Sequence, residues 1–186
     1  MPDATPGEVL VMGAGTIGCF IGGSLAAAGV PVTFVGRPRV LEKLATHGLT
    51  LSDMDGARHK LPATGLQLCE QVPVGASPAL VLLCVKSGAT AEAAAELAFA
   101  LPAGTTVVSL QNGISNGTAA SQTGPSLNVL SGMVPYNVAE IGPGAFHRGT
   151  PGRLAAQDDP ALRPWLPVFE RAGVPLDLHA DLLPVQ

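Results

Sequence analysis

Val9-Leu10-Val11-Met12-Gly13-Ala14-Gly15-Thr16-Ile17-Gly18 decides how the rest of this chain is read. Four apolar residues make a short strand that runs straight into Gly-x-Gly-x-x-Gly. A run of small residues from Cys19 to Ala28, closed by Gly29, follows as a helix. Strand, glycine turn and helix in that order form the context in which this glycine spacing means a dinucleotide site. Gly13 permits a sharp backbone turn, Gly15 admits a pyrophosphate to the main chain, and Gly18 lets the helix lie close to the strand. Free N–H groups and the positive end of the helix dipole then face the phosphates. Gly13, Ala14, Gly15, Thr16, Ile17 and Gly18 are therefore expected to bind the cofactor. The spacing alone would say little in a chain with 23 glycines. Its flanks give it meaning.

The 186 residues suffice for one domain with a substantial core. Charged residues are only 13% of the chain and the mean hydropathy is +0.37, yet no apolar run reaches the ~20 residues of a membrane span. The longest run, Ala79 to Val85, has the length of a buried strand. A net charge of −4 gives no reason to expect nucleic acid, whose binding leans on clustered Lys and Arg. Cys19, Cys69 and Cys84 cannot all pair and form no Cys-x-x-Cys, which favours free thiols in a reducing compartment. Met1 to Ala4 lacks the basic and apolar regions of a secretion signal, so a cytoplasmic location is expected.

Outward from the glycine turn, Pro31–Val35 reads as a second strand ending in Gly36-Arg37-Pro38-Arg39. A helix over Val40–His47 follows, with Leu41 and Leu44 on one face, and Leu49–Leu61 suggests a hairpin. Gln67–Ser77 reads as a loop around a short helical turn. Ala79–Val85 is a central strand and Ala89–Leu101 an alanine-rich helix. Thr105–Leu110, a helix over Ser115–Gln122 and a strand over Leu127–Val134 continue the alternation. Repeated β-α-β units predict an α/β, Rossmann-type, doubly wound parallel sheet. The tail predicts a small antiparallel addition near the C-terminus, pairing Ala145–Arg148 with Gly152–Ala155. Asp159 as N-cap and Pro160 at the first position predict a helix through Ala172, before a last strand over Val174–Leu178.

Dinucleotide sites that prefer NAD usually place Asp or Glu at the end of the second strand, where it holds the ribose 2′-hydroxyl. Here that place is Gly36-Arg37, and the next acid is Glu42 in the following helix. A guanidinium grips a 2′-phosphate bidentately, so Arg37, with Arg39 as a second candidate, points to NADP (NADPH). Ligands of such sheets lie beyond the carboxyl ends of the strands. Lys86 and Ser87, Asn112 and Gly113, and Tyr136 and Asn137 are placed there. Lys86 is either a solvated loop residue or a cation for cofactor phosphate or an anionic substrate. Asn112 is either a turn former or a hydrogen-bonding group near nicotinamide and substrate. His147, with no acid partner nearby in sequence, reads as structural. No metal-ligand spacing is present.

Several of these stretches recur together in a known family. Val-x-Gly-Ala-Gly-Thr-Ile-Gly at 11–18 and Gly36-Arg37 belong to the pattern. So do Leu83-Cys84-Val85-Lys86-Ser87, Leu110-Gln111-Asn112-Gly113 and the stretch from Gly142 to Gly149. As an ordered set they resemble the N-terminal domain of the ketopantoate reductase (2-dehydropantoate 2-reductase) family across essentially the whole chain. The resemblance implies reduction of 2-dehydropantoate to pantoate with NADPH, on the route to pantothenate and coenzyme A. It implies that the glycines seat the pyrophosphate and Arg37 the 2′-phosphate. Lys86 would lie against the cofactor, and Asn112 would sit between nicotinamide and substrate.

The resemblance also places the catalytic lysine in a Trp-x-Lys stretch that opens a helical C-terminal domain, just past Gln186. The expectation is therefore one NADP-binding domain over 1–186 without the helical catalytic half, and with no catalytic residue of its own. Its partner would be a small keto acid, with no nucleic acid and no membrane. Leu176, Leu178, Leu182, Leu183 and Val185 would offer an apolar face for self-association. Two other readings stay open: another NADP-dependent 2-keto or β-hydroxy acid reductase, and a non-catalytic NADP-binding module.

Overall fold

The computed structural model describes residues 5–111 and 115–182. In chain order the strands are β1 Val9–Met12, β2 Val32–Val35, β3 Leu49–Asp53, β4 Arg58–Leu61, β5 Gln67–Cys69 and β6 Leu80–Leu83. They continue as β7 Thr106–Ser109, β8 Asn128–Met133, β9 Val138–Gly142, β10 Ala145–Arg148, β11 Leu154–Gln157 and β12 Leu176–His179. The α-helices are α1 Thr16–Ala27, α2 Pro38–His47, α3 Thr90–Ala100, α4 Ser115–Thr123 and α5 Leu166–Arg171.

Eight strands form one sheet in the order β12-β11-β8-β7-β6-β1-β2-β5. β1 runs parallel to both β2 and β6, with Val9 opposite Val32 on one side and Leu80 on the other. Every residue of β1, β2, β6 and β7 is buried, which is why these segments read as continuous apolar runs rather than alternating ones. Alternation still sorts them between two cores. Val9 and Val11 pack on the face that carries α1, whereas Leu10 and Met12 pack on the face with Ala93, Ala94 and Leu97 of α3. The chain leaves β1 toward β2 and later returns to β6 on the opposite side, so a crevice opens beyond the carboxyl ends of β1 and β6.

A second sheet, ordered β4-β3-β10-β9, covers the outer side of α1. α1 is thus sandwiched between two sheets. A Cβ on Gly22 would come within 2.7 Å of Val11 in the large sheet, and one on Gly23 within 2.5 Å of Leu49 in the small one. Side chains at these places would hold the layers apart. The expected hairpin is there, as antiparallel β3 and β4.

Four expectations from the sequence need correction. Ala145–Arg148 does not pair with the 152–155 segment: β10 lies between β9, antiparallel, and β3, parallel. The Thr50 N–H donates to the Gly144 carbonyl at 2.8 Å and starts that pairing, a contact ninety-odd residues apart that no local pattern announces. β11 instead extends the large sheet, antiparallel to β8 and parallel to β12, so the parallel order reverses once near that edge. Gln67–Cys69 is an edge strand on β2, too short at three residues to show a period. The helix expected from Pro160 to Ala172 is interrupted. Pro164 and Pro167 lack the N–H that a helix interior needs, so a 3₁₀ turn over Arg163–Trp165 precedes a short α5. Asp159 still caps the first turn, its carboxylate accepting the Ala161 N–H at 2.8 Å.

Leu176 is buried in the core and Leu178 packs against it, so neither offers the open apolar face expected of the tail. Leu183 and Val185 lie outside the described residues. Among the described residues no helix is long and apolar enough to cross a membrane.

The close approach of α1 to β1 is testable at Gly18, where a Cβ would collide with the Gly13 carbonyl oxygen. Gly18→Ala is expected to cost about 1–3 kcal/mol through overpacking. Thermal unfolding followed by circular dichroism checks it. An unchanged melting temperature would show that the turn can yield there.

Candidate functional site

The turn after β1 is fixed by one acceptor. The Val35 carbonyl at the end of β2 accepts the N–H groups of both Gly13 and Ala14, at 2.9 and 3.1 Å. Gly13 has a φ of +110°, a conformation that favours glycine, and a Cβ there would lie 2.7 Å from the Val85 nitrogen. Gly15 is the N-cap of α1 and nothing lies within 4 Å of the place its Cβ would take. No side chain caps α1 and no acid sits in its first turn. The first N–H groups of the helix therefore lack intrahelical partners at an uncrowded turn. A backbone cradle open only at Gly15 fits a diphosphate.

Recesses flank this turn. The larger, about 460 Å³, lies between Gly15–Ile17 and the loops after β6, β7 and β8, with Cys84, Lys86, Gln111 and Tyr136 in its wall. The smaller, about 270 Å³, lies at the end of β2 and holds Arg37. Val85 borders both. A third hollow, about 230 Å³, lies between Ala14 and α2 and is bordered by the Lys43–Glu140 ion pair at 3.0 Å.

Most residues singled out in the sequence converge here. Gly13 borders the smaller recess, Gly15, Thr16, Ile17 and Lys86 the larger, and Ala14 the third; Gly18 lies inside, against the turn. Lys86 and Arg37 are both exposed. Arg39 is exposed on α2 and does not line the recess of Arg37. Asn112 lies outside the described residues. His147 stays within the small sheet, its Nδ1 hydrogen-bonded to the Ser52 hydroxyl at 2.9 Å. No cluster of metal ligands occurs among the described residues.

Three features were not visible in the sequence. Glu70, Glu92 and Glu96 share the recess of Arg37 although none is near it in sequence. Glu96 is engaged, accepting the Val72 N–H at 2.7 Å. Arg148, only 7% exposed, reaches Asp53 and Asp55 at 3.4 and 3.3 Å and lies 5.3 Å from the Tyr136 ring centre. Tyr136 is 4% exposed and stands edge-on to Phe20, and its hydroxyl has no hydrogen-bond partner among the described residues. Burial pushes that phenol above its usual range, while the Arg148 guanidinium pulls it down.

With this geometry in view, comparison with known proteins is specific. The family model "Ketopantoate reductase PanE/ApbA" matches residues 9–160. The chain belongs to the ketopantoate reductase family. A 2-dehydropantoate 2-reductase of Halobacterium salinarum is 31% identical over 180 residues, 94% of this chain and 58% of that protein. The crystal structure of a PanE/ApbA family ketopantoate reductase from Ralstonia eutropha superposes with a TM-score of 0.83 at 29% identity, covering 94% of this chain and 57% of that one. A D-mandelate dehydrogenase solved with NADH and anilino(oxo)acetate shares the fold at 19% identity, with a TM-score of 0.77 over 93% of this chain and 57% of that one. This ketopantoate reductase family chain thus spans somewhat over half the length of the relatives it matches.

Tyr136→Phe is expected to leave the fold intact and to raise its stability by about 1 kcal/mol, because a buried hydroxyl without a partner is removed. A denaturation midpoint below the parent's would mean that the hydroxyl has a stabilising partner. Burial also pushes the Cys19 and Cys84 thiols up from 9.0 to about 12. The unfolded chain loses those protons first, so stability is full below pH 9.0 and falls as pH rises toward about 12. Urea midpoints at mildly and strongly alkaline pH should show that fall. A flat profile above pH 9.0 would contradict it.

Proposed function

We propose that this chain is the dinucleotide-binding part of a 2-dehydropantoate 2-reductase, holding NADPH for the reduction of 2-dehydropantoate to pantoate in pantothenate and coenzyme A synthesis. The supporting observation is the uncrowded N-terminus of α1 at Gly15, set between the recess of Arg37 and the recess of Lys86 and Tyr136. A dinucleotide laid across the turn would put its adenosine half in the first recess and its nicotinamide half in the second. The backbone N–H groups of the turn then face the diphosphate, and α1 adds the positive end of its dipole. Arg37 holds the 2′-phosphate with a planar pair of donors. Lys86 brings a cation to the diphosphate side of the larger recess, and Asn112, by family resemblance, hydrogen-bonds between nicotinamide and substrate.

When bound, the cofactor supplies a hydride to the ketone carbon. The protein's part is placement, exclusion of water and a proton for the oxygen that gains charge. Lys86 is committed to the cofactor side in this reading. The proton donor is therefore assigned to the portion of the relatives' length that this chain does not match. The purified chain should bind NADPH and turn over 2-dehydropantoate negligibly, and substantial turnover would move the acid into this chain.

A second reading has one observation in its favour. Glu70 and Glu92 border the recess of Arg37, and carboxylates there suit a ribose 2′-hydroxyl and oppose a 2′-phosphate. Fluorescence titrations with NADPH and NADH separate the two. Arg37→Ala should weaken NADPH by about tenfold or more and leave NADH within about twofold, as a lost charge-assisted pair requires. Equal losses on both cofactors would overturn the choice of NADP.

A further inference from the structure

Gln111 stands immediately before Asn112 at the end of β7 and is only 6% exposed. Its side-chain amide spans three segments. Nε2 donates to the Val85 carbonyl at 2.6 Å and to the Thr90 hydroxyl at 2.8 Å. Oε1 accepts the Ser109 hydroxyl at 3.1 Å. Thr90 passes the connection on, donating to the Ser87 carbonyl at 2.9 Å. One buried amide thus ties the last residues of β7 to the Val85–Ser87 loop and to the start of α3.

The place of that loop gives the network its meaning. Val85 is the residue common to the walls of both recesses, and Lys86 follows it. β6 ends at Leu83, whose carbonyl accepts the Leu110 N–H at 2.9 Å, and Cys84 is held through its N–H to the Met12 carbonyl at 2.8 Å. Beyond Cys84 the strand ladder stops, and the carbonyl of Val85 is held by the Gln111 side chain. Among the described residues no other hydrogen bond from the sheet fixes where Lys86 starts.

We infer that Gln111 is a positioning residue for dinucleotide binding: by clamping the Val85 carbonyl it sets the ridge between the two recesses and delivers Lys86 to the diphosphate crossing it. This rests on the dinucleotide reading above. Asparagine is too short to keep both the Val85 and the Ser109 contacts. Methionine has similar length and no hydrogen bonds. Glutamate has the right shape but sets an oxygen against the Val85 carbonyl oxygen.

The test is a double-mutant cycle on NADPH affinity, using Gln111→Met, Lys86→Ala and the double variant, with circular dichroism on each. A residue acting through another gives strongly non-additive losses. Gln111→Met alone should weaken NADPH by about tenfold, and in the Lys86→Ala background by less than about twofold. Adenosine 2′,5′-bisphosphate, which lacks the second half of the dinucleotide, should lose much less than NADPH. If Gln111→Met fails to fold, Gln111→Glu replaces it in the same cycle with the same expectation. Additive losses, or equal losses on NADPH and the bisphosphate, overturn the positioning role and leave a general packing role. If the parent chain binds neither ligand, the dinucleotide reading itself falls, a result distinct from either.

Discussion

The Gly13 carbonyl oxygen occupies the space that any side chain at position 18 would need. That single close approach sets the distance of α1 from β1, and much else follows from it. It brings the start of the helix down to the strand end. It lets the Val35 carbonyl capture both the Gly13 and Ala14 N–H groups, which locks β2 to the same turn. With β1 and β2 joined there and β6 on the far side, the crevice at the switch of strand order is defined. The recesses are consequences of where the turn lies, not separate constructions.

Electrostatics around this turn are local rather than global. The chain is acidic overall, yet its N-terminal helix carries no acid in the first turn, and the exposed cations Arg37 and Lys86 stand on either side of it. Carboxylates are not absent; they border the Arg37 recess, supplied by Glu70 just after β5 and by Glu92 and Glu96 of α3. A site arranged this way selects by the placement of a few charges at short range, where screening by salt has least effect. Buried Arg148, paired with Asp53 and with the exposed Asp55, instead backs the Tyr136 ring that lines the larger recess.

The sequence made the parallel half of the fold legible because its strands are buried on both faces and its helices are short and regular. Val9–Met12, Leu80–Leu83 and the glycine spacing needed no tertiary information. What escaped was long-range or too short to show a period. β10 finds β3 across the whole Rossmann core, and β5 has three residues. The Asp159–Pro160 capping pattern predicts one helix, whereas Pro164 and Pro167 interrupt it. At the candidate site, the places of Arg37 and Lys86 beyond strand ends are legible in the sequence, and both border recesses. The reach of the Gln111 side chain across three segments cannot be read from its own position in the sequence. The burial that leaves the Tyr136 hydroxyl without a partner among the described residues is not a sequence property.

α1 carries Gly18, Gly22 and Gly23 within twelve residues, and each glycine costs a helix about 1 kcal/mol relative to alanine. Detached from its two sheets this segment has little reason to be helical. It becomes a helix by being clamped, and one jaw of the clamp, β3 against β10, joins residues nearly a hundred apart. The helix that starts at the Gly13–Gly18 turn is thus held in part by a pairing whose loop closure carries a high entropic cost. Pairing of β3 with β10 is therefore expected to stabilise the turn after β1 as well as the small sheet itself.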